Sequence, residues 1–123
     1  LKGEMSIFPI AENVHKNSIL DTSTVPANIS EKVYNEAIDF AQKIAIELDV
    51  IGLIAIEFFV TKKDEVIFNE MDPRPHNSGH WSMDGCVTSQ FEQLVRAISG
   101  MSFGSTKILA KTQMKNLIGE DIY

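Results

Sequence analysis

The sequence predicts an α+β fold: a mainly antiparallel sheet with helices near 31–48 and 89–99 packed on one face. Three observations lead there. First, the nearly continuous apolar run Val50–Val60 is followed by the polar turn Thr61-Lys-Lys-Asp64 and a second strand-like run from Glu65 to Met71, which is the pattern of a hairpin. Second, apolar residues recur at helical spacing at 33, 37, 40, 41, 44 and 48, and again at 91, 94, 95 and 98. Third, both periodic segments carry their own start and stop signals. Ser30 suits an N-cap and Glu31 the positive end of a helix, with Asp49 as the terminator. Ser89 to Glu92 has the S-x-x-E form of a capping box, and Gly100 suits a C-terminal stop.

The 123 residues are enough for one domain with a core. No apolar run is long enough to span a bilayer, and Leu1-Lys-Gly-Glu-Met5 has no apolar h-region behind it. A start at Leu1 reads as a fragment, unless Met removal or a tag explains it. The single cysteine, Cys86, rules out an internal disulfide and suits a reducing cytoplasm; it reads as a small buried apolar group. The net charge of −6 argues against a general nucleic-acid binder, so any phosphate site must be local.

Taken in order, Gly3–Ile10 alternates weakly and reads as a short strand. Ala11 to Thr24 reads as a polar loop followed by another strand; His15, flanked by Glu12, Asn13 and Lys16, reads as a surface histidine. Val25–Ile29 is a linker. Glu36, Asp39, Lys43 and Glu47 form the solvated face of the first helix. Val50–Val60 should be a buried strand, with Gly52 marking a bulge or a close backbone approach. Trp81 reads as a packing residue. In the tail, Lys107–Ala110 and Met114–Gly119 read as strands. There is no internal repeat.

The candidate site is the stretch Asn69-Glu-Met-Asp-Pro-Arg-Pro-His-Asn-Ser-Gly-His80. It is too polar for a core, and Pro73 and Pro75 forbid a helix there. The geometry to expect is a strand end running into a stiff polar loop, a common way to present functional groups; the plain alternative is a solvated loop with two turn prolines. Glu57 is the one charge among Leu53, Ala55 and Phe59 on its strand face, so it needs a salt-bridge partner or a metal. Register links the two. With a turn of two or four residues, Glu57 pairs with Phe68 and residues 66, 68 and 70 share its face. Glu70 then lies diagonal to it, roughly 7–8 Å away at the backbone. A three-residue loop would turn Glu70 to the opposite face. Two carboxylates on one face suit Mg²⁺, which takes oxygen ligands and shares its shell with nucleotide phosphates.

The run Asn69 to Trp81, followed by Ser89-Gln-Phe-Glu92 and Arg96-Ala97, resembles the ATP-grasp family, and within it the 5-(carboxyamino)imidazole ribonucleotide synthases. The similarity extends to Phe8-Pro9, Glu12-Asn13-Val14-His15, Gly52–Val60 and Met114–Gly119. The resemblance implies a ligase that carboxylates aminoimidazole ribonucleotide with bicarbonate, using ATP and passing through carboxyphosphate, in purine biosynthesis. It implies that Glu57 and Glu70 hold Mg²⁺ and that His15, Asn69 and Glu70 lie at ATP. It places Arg74 and His76 at bicarbonate and carboxyphosphate, and Asn77 and Ser78 at the ribonucleotide. Asp72 stands where many ATP-grasp enzymes carry an asparagine ligand. The partners implied are small molecules, with no nucleic acid and no membrane; the intact enzyme would be a cytoplasmic homodimer. Residues 1–103 correspond to the carboxyl-side ATP-grasp subdomain and 104–123 to the start of a further domain. The fragment alone would then be inactive. Two alternatives stand beside this reading: another ATP-grasp ligase, such as a biotin carboxylase or a glycinamide ribonucleotide synthetase, or a non-catalytic metal- or nucleotide-binding module.

Overall fold

A computed structural model of the protein describes residues 3–122. Among these residues the chain forms β1 (Glu12–Lys16), β2 (Ile19–Val25), α1 (Glu31–Glu47), β3 (Ala55–Val60), β4 (Val66–Asp72), α2 (Ser82–Gly85), α3 (Gln90–Ile98) and β5 (Thr112–Lys115). Single 3-10 turns form at Asn77–Gly79 and Gly119–Ile122. Every strand pair is antiparallel, in keeping with the predicted α+β class. The strands divide between two sheets, β1-β2-β5 and the hairpin β3-β4.

Both long helices form between the caps that announce them. The Ser30 side chain accepts from the Val33 N–H at 3.3 Å. At the other end Leu48 caps α1, and Asp49 adopts φ 47°. The N–H groups of Asp49 and Val50 return to the carbonyls of Ile46 and Ala45 at 3.0 and 3.1 Å, satisfying carbonyls the helix itself leaves open. In α3, Ser89 Oγ accepts from the Glu92 N–H at 3.2 Å. Gly100, at φ 67°, closes the same kind of C-terminal motif through Gly100 N–H to Ala97 and Met101 N–H to Arg96. The Glu92 carboxylate does not turn back to Ser89. It binds Arg96 instead, at 2.8 and 2.9 Å.

The first sheet differs from expectation. Residues 12–16 are a strand, not a loop. Asn17 and Ser18 both take left-handed backbone, φ 50° and 62°, giving the two-residue turn whose twist suits a hairpin. β1 is polar because it is an edge strand, exposed over most of its length. Conversely, Gly3–Ile10 joins no sheet. It is anchored by single bonds, Ala27 N–H to Ile10 C=O and Thr106 Oγ1 to Ile7 C=O, each 2.9 Å. Phe8 meets Trp81 edge-on at 6.4 Å. The core beneath is Val25, Trp81 and Cys86, with Phe8, Ala11, Ile108 and Met114 packed around it. Trp81 and Cys86 are thus packing residues, as expected. In the tail, Lys107–Ala110 contributes one bridge, Ile108 to Cys86. The strand expected at 114–119 lies at 112–115, paired with β2.

The second sheet places α1 against both β3 and β4, with Phe40 beside Phe58 at 6.3 Å. Only residues 55–60 of the apolar run are strand. Phe59 is exposed rather than buried, because α1 covers only one face of a two-stranded ribbon, and Val60, in the last pair before the turn, is exposed as well. Gly52 takes φ 123°, a backbone conformation that favours glycine; an added Cβ would meet Leu94 Cδ1 at 3.4 Å and Ile98 Cγ2 at 3.7 Å, ordinary packing distances, so the conformation and not a close approach calls for glycine here.

Asp21 locks the first sheet. The β1–β2 register slips between Val14 and His15, so Asp21 has no partner across the ladder. Its carboxylate instead receives Lys115 from β5 and Lys16 from β1, the latter at 3.2 Å. The Lys115 hydrogen bond, assisted by Lys16 and opposed by desolvation, holds the Asp21 carboxyl below its usual value. A depressed folded-state value means the stabilisation is fully present above the unfolded value of about 3.9 and is lost as pH falls through the lower folded value. Asp21→Asn should therefore flatten the loss of stability below about pH 4 relative to wild type, as read from urea midpoints across the acid range. Parallel curves would show that the cluster contributes nothing.

Candidate active site

The β3–β4 hairpin positions the acids, and its turn is the odd-length one. Thr61 N–H donates to Glu65 C=O at 3.0 Å and Asp64 N–H to Thr61 C=O at 3.0 Å, with Asp64 at φ 57°. Thr61 Oγ1 accepts from the N–H groups of Lys63 and Glu65, both at 3.2 Å. This is a three-residue loop ending in a left-handed residue. Val60 pairs with Val66, Phe59 with Ile67 and Phe58 with Phe68. Phe68 therefore shares a face with Phe58, not with Glu57, and an unbroken ladder would carry Glu70 to the wrong side. The ladder is broken. Between Glu57 and Phe58 the register shifts, and Glu57 pairs with Glu70, Ile56 with Met71 and Ala55 with Asp72. Asn69 is the extra residue of a bulge on β4. The bulge undoes the parity of the turn and sets Glu70 directly opposite Glu57, closer than the diagonal arrangement expected.

Beyond β4, the loop folds His76 back onto these acids. His76 Nδ1 lies 3.5 Å from Glu57 Oε1; Nε2 lies 3.3 Å from Asp72 Oδ2 and 3.8 Å from Glu70 Oε1. Ser78 fixes the ring, its Oγ 2.8 Å and its N–H 3.4 Å from Nδ1. Arg74 donates to Asp72 Oδ2 at 3.0 Å and to Pro75 C=O at 3.2 Å. Exposure grades the site: the side chains of Glu57 and His76 are 11% and 14% exposed, those of Glu70 and Arg74 56% and 62%. The floor is shielded, while the rim is open. One ligand atom each from Glu57, Glu70 and His76 lies within 4.8 Å of the others. Three carboxylates face one guanidinium and one imidazole, a surplus of negative charge that favours a cation.

The structure thus brings together Glu57, Glu70, Arg74, His76 and Ser78. Asn69 is placed at the bulge and Asn77 opens the 3-10 turn that lies beside β2; neither side chain makes a hydrogen bond among the described residues. His15 is exposed on β1 and, among the described residues, makes no hydrogen bond or ion pair with the cluster. Sequence reasoning missed Asn13 and Gln90. Asn13 Nδ2 donates to Glu57 Oε1 at 3.4 Å, and its own Oδ1 accepts from the buried Ser23 at 2.7 Å. Recognising 12–16 as a strand would have put Asn13 and His15 on one side of it. Gln90, buried on α3, bonds the backbone of His76; its signal was a polar residue beside a helix cap, which reads as solvent-facing.

Residues 1–91 match the ATP-grasp domain model. The chain belongs to the ATP-grasp family. Within it, the chain is 47% identical over 122 residues to the N5-carboxyaminoimidazole ribonucleotide synthase of Bacillus subtilis (strain 168), covering 99% of this chain and 32% of that protein. It is 48% identical over 120 residues to the synthase of the same name from Brucella melitensis, covering 98% and 33%. Among solved structures, N5-carboxyaminoimidazole ribonucleotide synthetase from Thermus thermophilus superposes with a TM-score of 0.90 at 44% identity, over 96% of this chain and 33% of that one. An Aspergillus clavatus N5-carboxyaminoimidazole synthase, solved with ADP and 5-aminoimidazole ribonucleotide, superposes with a TM-score of 0.86 at 33% identity, over 91% and 31%. This ATP-grasp chain spans about a third of the length of the relatives it matches.

The bulge yields a direct test. Deleting Asn69 should convert β4 into a regular ladder in which Phe58 still pairs with Phe68 and Glu57 still faces Glu70. Cross-strand NOEs between residues 57 and 70 should persist in the deletion variant. Their disappearance would show that the bulge does more than correct the register.

Proposed function

We propose that this chain is part of an ATP-dependent ligase that carboxylates aminoimidazole ribonucleotide with bicarbonate, a step of purine biosynthesis. The observation that carries the reading is the Glu57–Glu70–His76 cluster on the hairpin of a chain 47% identical, over 122 residues, to a synthase named for that product. The Aspergillus clavatus relative bound to ADP and 5-aminoimidazole ribonucleotide supports the two larger substrates. In the intact enzyme, residues 104–123 lead into a further domain, and the enzyme is a cytoplasmic homodimer; sedimentation of the full-length protein tests the latter.

The donor set fits Mg²⁺. Glu57 and Glu70 offer hard carboxylate oxygens on one face of the hairpin, the ligands this ion takes. His76, a softer nitrogen donor, serves better as a hydrogen-bonding group between the acids. When bound, Mg²⁺ supplies charge neutralisation at the ATP phosphates. Asn69, set off the ladder by the bulge, and His15 lie toward the nucleotide. A bicarbonate oxygen forms a bond to the γ-phosphorus as the bond to ADP breaks, giving carboxyphosphate. The exocyclic amine of the ribonucleotide then bonds to the carboxyl carbon, phosphate leaves, and the amine loses a proton. Arg74 binds the planar bicarbonate and the carboxyphosphate oxygens. Its planar fork of N–H donors matches such oxygen pairs, and its exposed position on Asp72 leaves it free to turn to them. His76 lies beside the reacting carboxyl group, while Asn77 and Ser78 address the ribonucleotide. Shielding of the Glu57 and His76 floor helps to keep carboxyphosphate from water.

The full-length protein should therefore consume ATP only when bicarbonate and aminoimidazole ribonucleotide are both present; turnover with biotin or glycinamide ribonucleotide precursors instead would reassign the acceptor. Glu57→Gln and Glu70→Gln should each lower kcat on the order of 100-fold without changing the far-UV circular dichroism spectrum. Because both carboxylates serve the same ion, the double variant should lose scarcely more than either single one; multiplying losses would mean separate roles. Arg74→Lys should cost roughly 10–100-fold in kcat/KM, the worth of a charge-assisted bidentate contact. A kinetic profile matching wild type would remove Arg74 from the site.

A further inference from the structure

Helix α3 carries two buried glutamines one turn apart, Gln90 and Gln93, each 4% exposed. Buried amides at helix positions are costly unless satisfied, and each of these is satisfied by another loop's backbone. Gln90 Oε1 accepts from the His76 N–H at 3.0 Å, and Gln90 Nε2 donates to the His76 C=O at 2.8 Å. Gln93 makes the same pair of bonds to Gly104, both at 2.8 Å. The N–H and C=O of His76 belong to the two peptide planes that flank its Cα. Holding both fixes φ and ψ, here −121° and 150°, and hence the direction in which the Cα–Cβ bond leaves the loop.

We propose that Gln90 is a positioning residue for His76, aiming the imidazole at Glu57, Glu70 and Asp72. Gln90 fixes the backbone, and Ser78 fixes the ring. Gln90 is itself anchored through Ser82. Its N–H donates to Ser82 Oγ at 2.9 Å, and Ser82 Oγ donates to Gly79 C=O at 2.6 Å. Gly79 leaves room for the amide: a Cβ there would stand 2.4 Å from Gln90 Oε1. Gly79, Ser82 and Gln90 thus form one brace, joining the loop after β4 to α2 and α3. Without it, the His76 carbonyl keeps the turn bond from Gly79 N–H at 2.9 Å, but the His76 N–H loses its partner, and the backbone on that side is no longer held against rotation of the histidine away from the acids. Gln93 performs the same backbone task at a distance from the cluster, so any difference between the two glutamines isolates positioning from fold stability.

The assignment rests on the functional reading above, but its test does not need turnover to be informative. This chain contributes three histidines, His15, His76 and His80, and their imidazole Cε1–H resonances in the full-length enzyme can be assigned by single substitutions. Gln90→Met and Gln93→Met each remove two buried hydrogen bonds and keep the side-chain length. In Gln90→Met the His76 resonance should shift and broaden, with His15 unmoved; in Gln93→Met it should stay at its wild-type position. In the full-length enzyme, Gln90→Met should lower kcat roughly 10–100-fold, as loss of a group that orients a functional side chain typically does, with the KM for ATP little changed. Gln93→Met should retain most of kcat. If Gln90→Met does not fold, Gly79→Ala displaces the same amide by its added methyl and is read in the same two ways. An unmoved His76 resonance in the Gln90 or Gly79 variant, equal effects from the two glutamines, or a shifted resonance with full kcat would each overturn the proposal. A wild-type enzyme without ATP-dependent carboxylation would instead refute the functional reading and leave the resonance test of Gln90 standing.

Discussion

Everything at this site depends on holding like charges together. Glu57 and Glu70 face each other across a two-stranded ladder, with Asp72 close behind them around the same imidazole. Two carboxylates about 4 Å apart repel by roughly 1 kcal/mol in water and about 4 kcal/mol at the effective dielectric of a protein surface. Free side chains would relieve that by swinging apart. Here burial and the Asn13 side chain from the other sheet hold the Glu57 carboxylate in place, and the exposed Glu70 is the partner with room to move. The repulsion becomes a standing preference for a cation, present before any ligand arrives.

The rest of the molecule can be seen as bracing for that constraint. The first sheet supplies Asn13 and, through Ser23, a buried backing for it. α1 packs on the opposite face of the hairpin through Phe40 and Phe58, leaving the acidic face clear. α3 holds the loop after β4 by the backbone of His76 and stands against Gly52 just before β3. The gradient from a shielded floor to an open rim fits a reaction whose fixed charges must be rigid while its substrates come and go.

Much of this was legible in the sequence, for reasons that differ by element. The helices were plain because their caps act locally: Ser30, Ser89 and Gly100 perform in the structure the roles their types favour. The acidic pair was also found, but by a path only half right. The parity argument rested on an even turn, and the turn is odd; the bulge at Asn69 restores what the turn takes away. No residue type announces such a bulge, since an asparagine sits comfortably in or out of a ladder. Strand β1 was unreadable for a related reason. An edge strand exposed on most of its length has no apolar alternation to show. Gln90 and Gln93 were hidden because a helix pattern assigns polar residues to water, and only the arrival of another loop's backbone makes them interior.

The bulge has a bearing on how such a hairpin tolerates change in length. Asn69 is a spare residue with no counterpart on β3. A single residue inserted in β3 immediately after Glu57 would find Asn69 opposite it, complete a regular ladder, and leave the aromatic pair at 58 and 68 and the acidic pair at 57 and 70 each as they were. The tip and the base of the hairpin keep separate registers, joined by a joint that can absorb one step. As far as strand pairing goes, a one-residue change at this joint leaves both pairs where they are, whereas the same change a few residues away would move one pair out of step with the other.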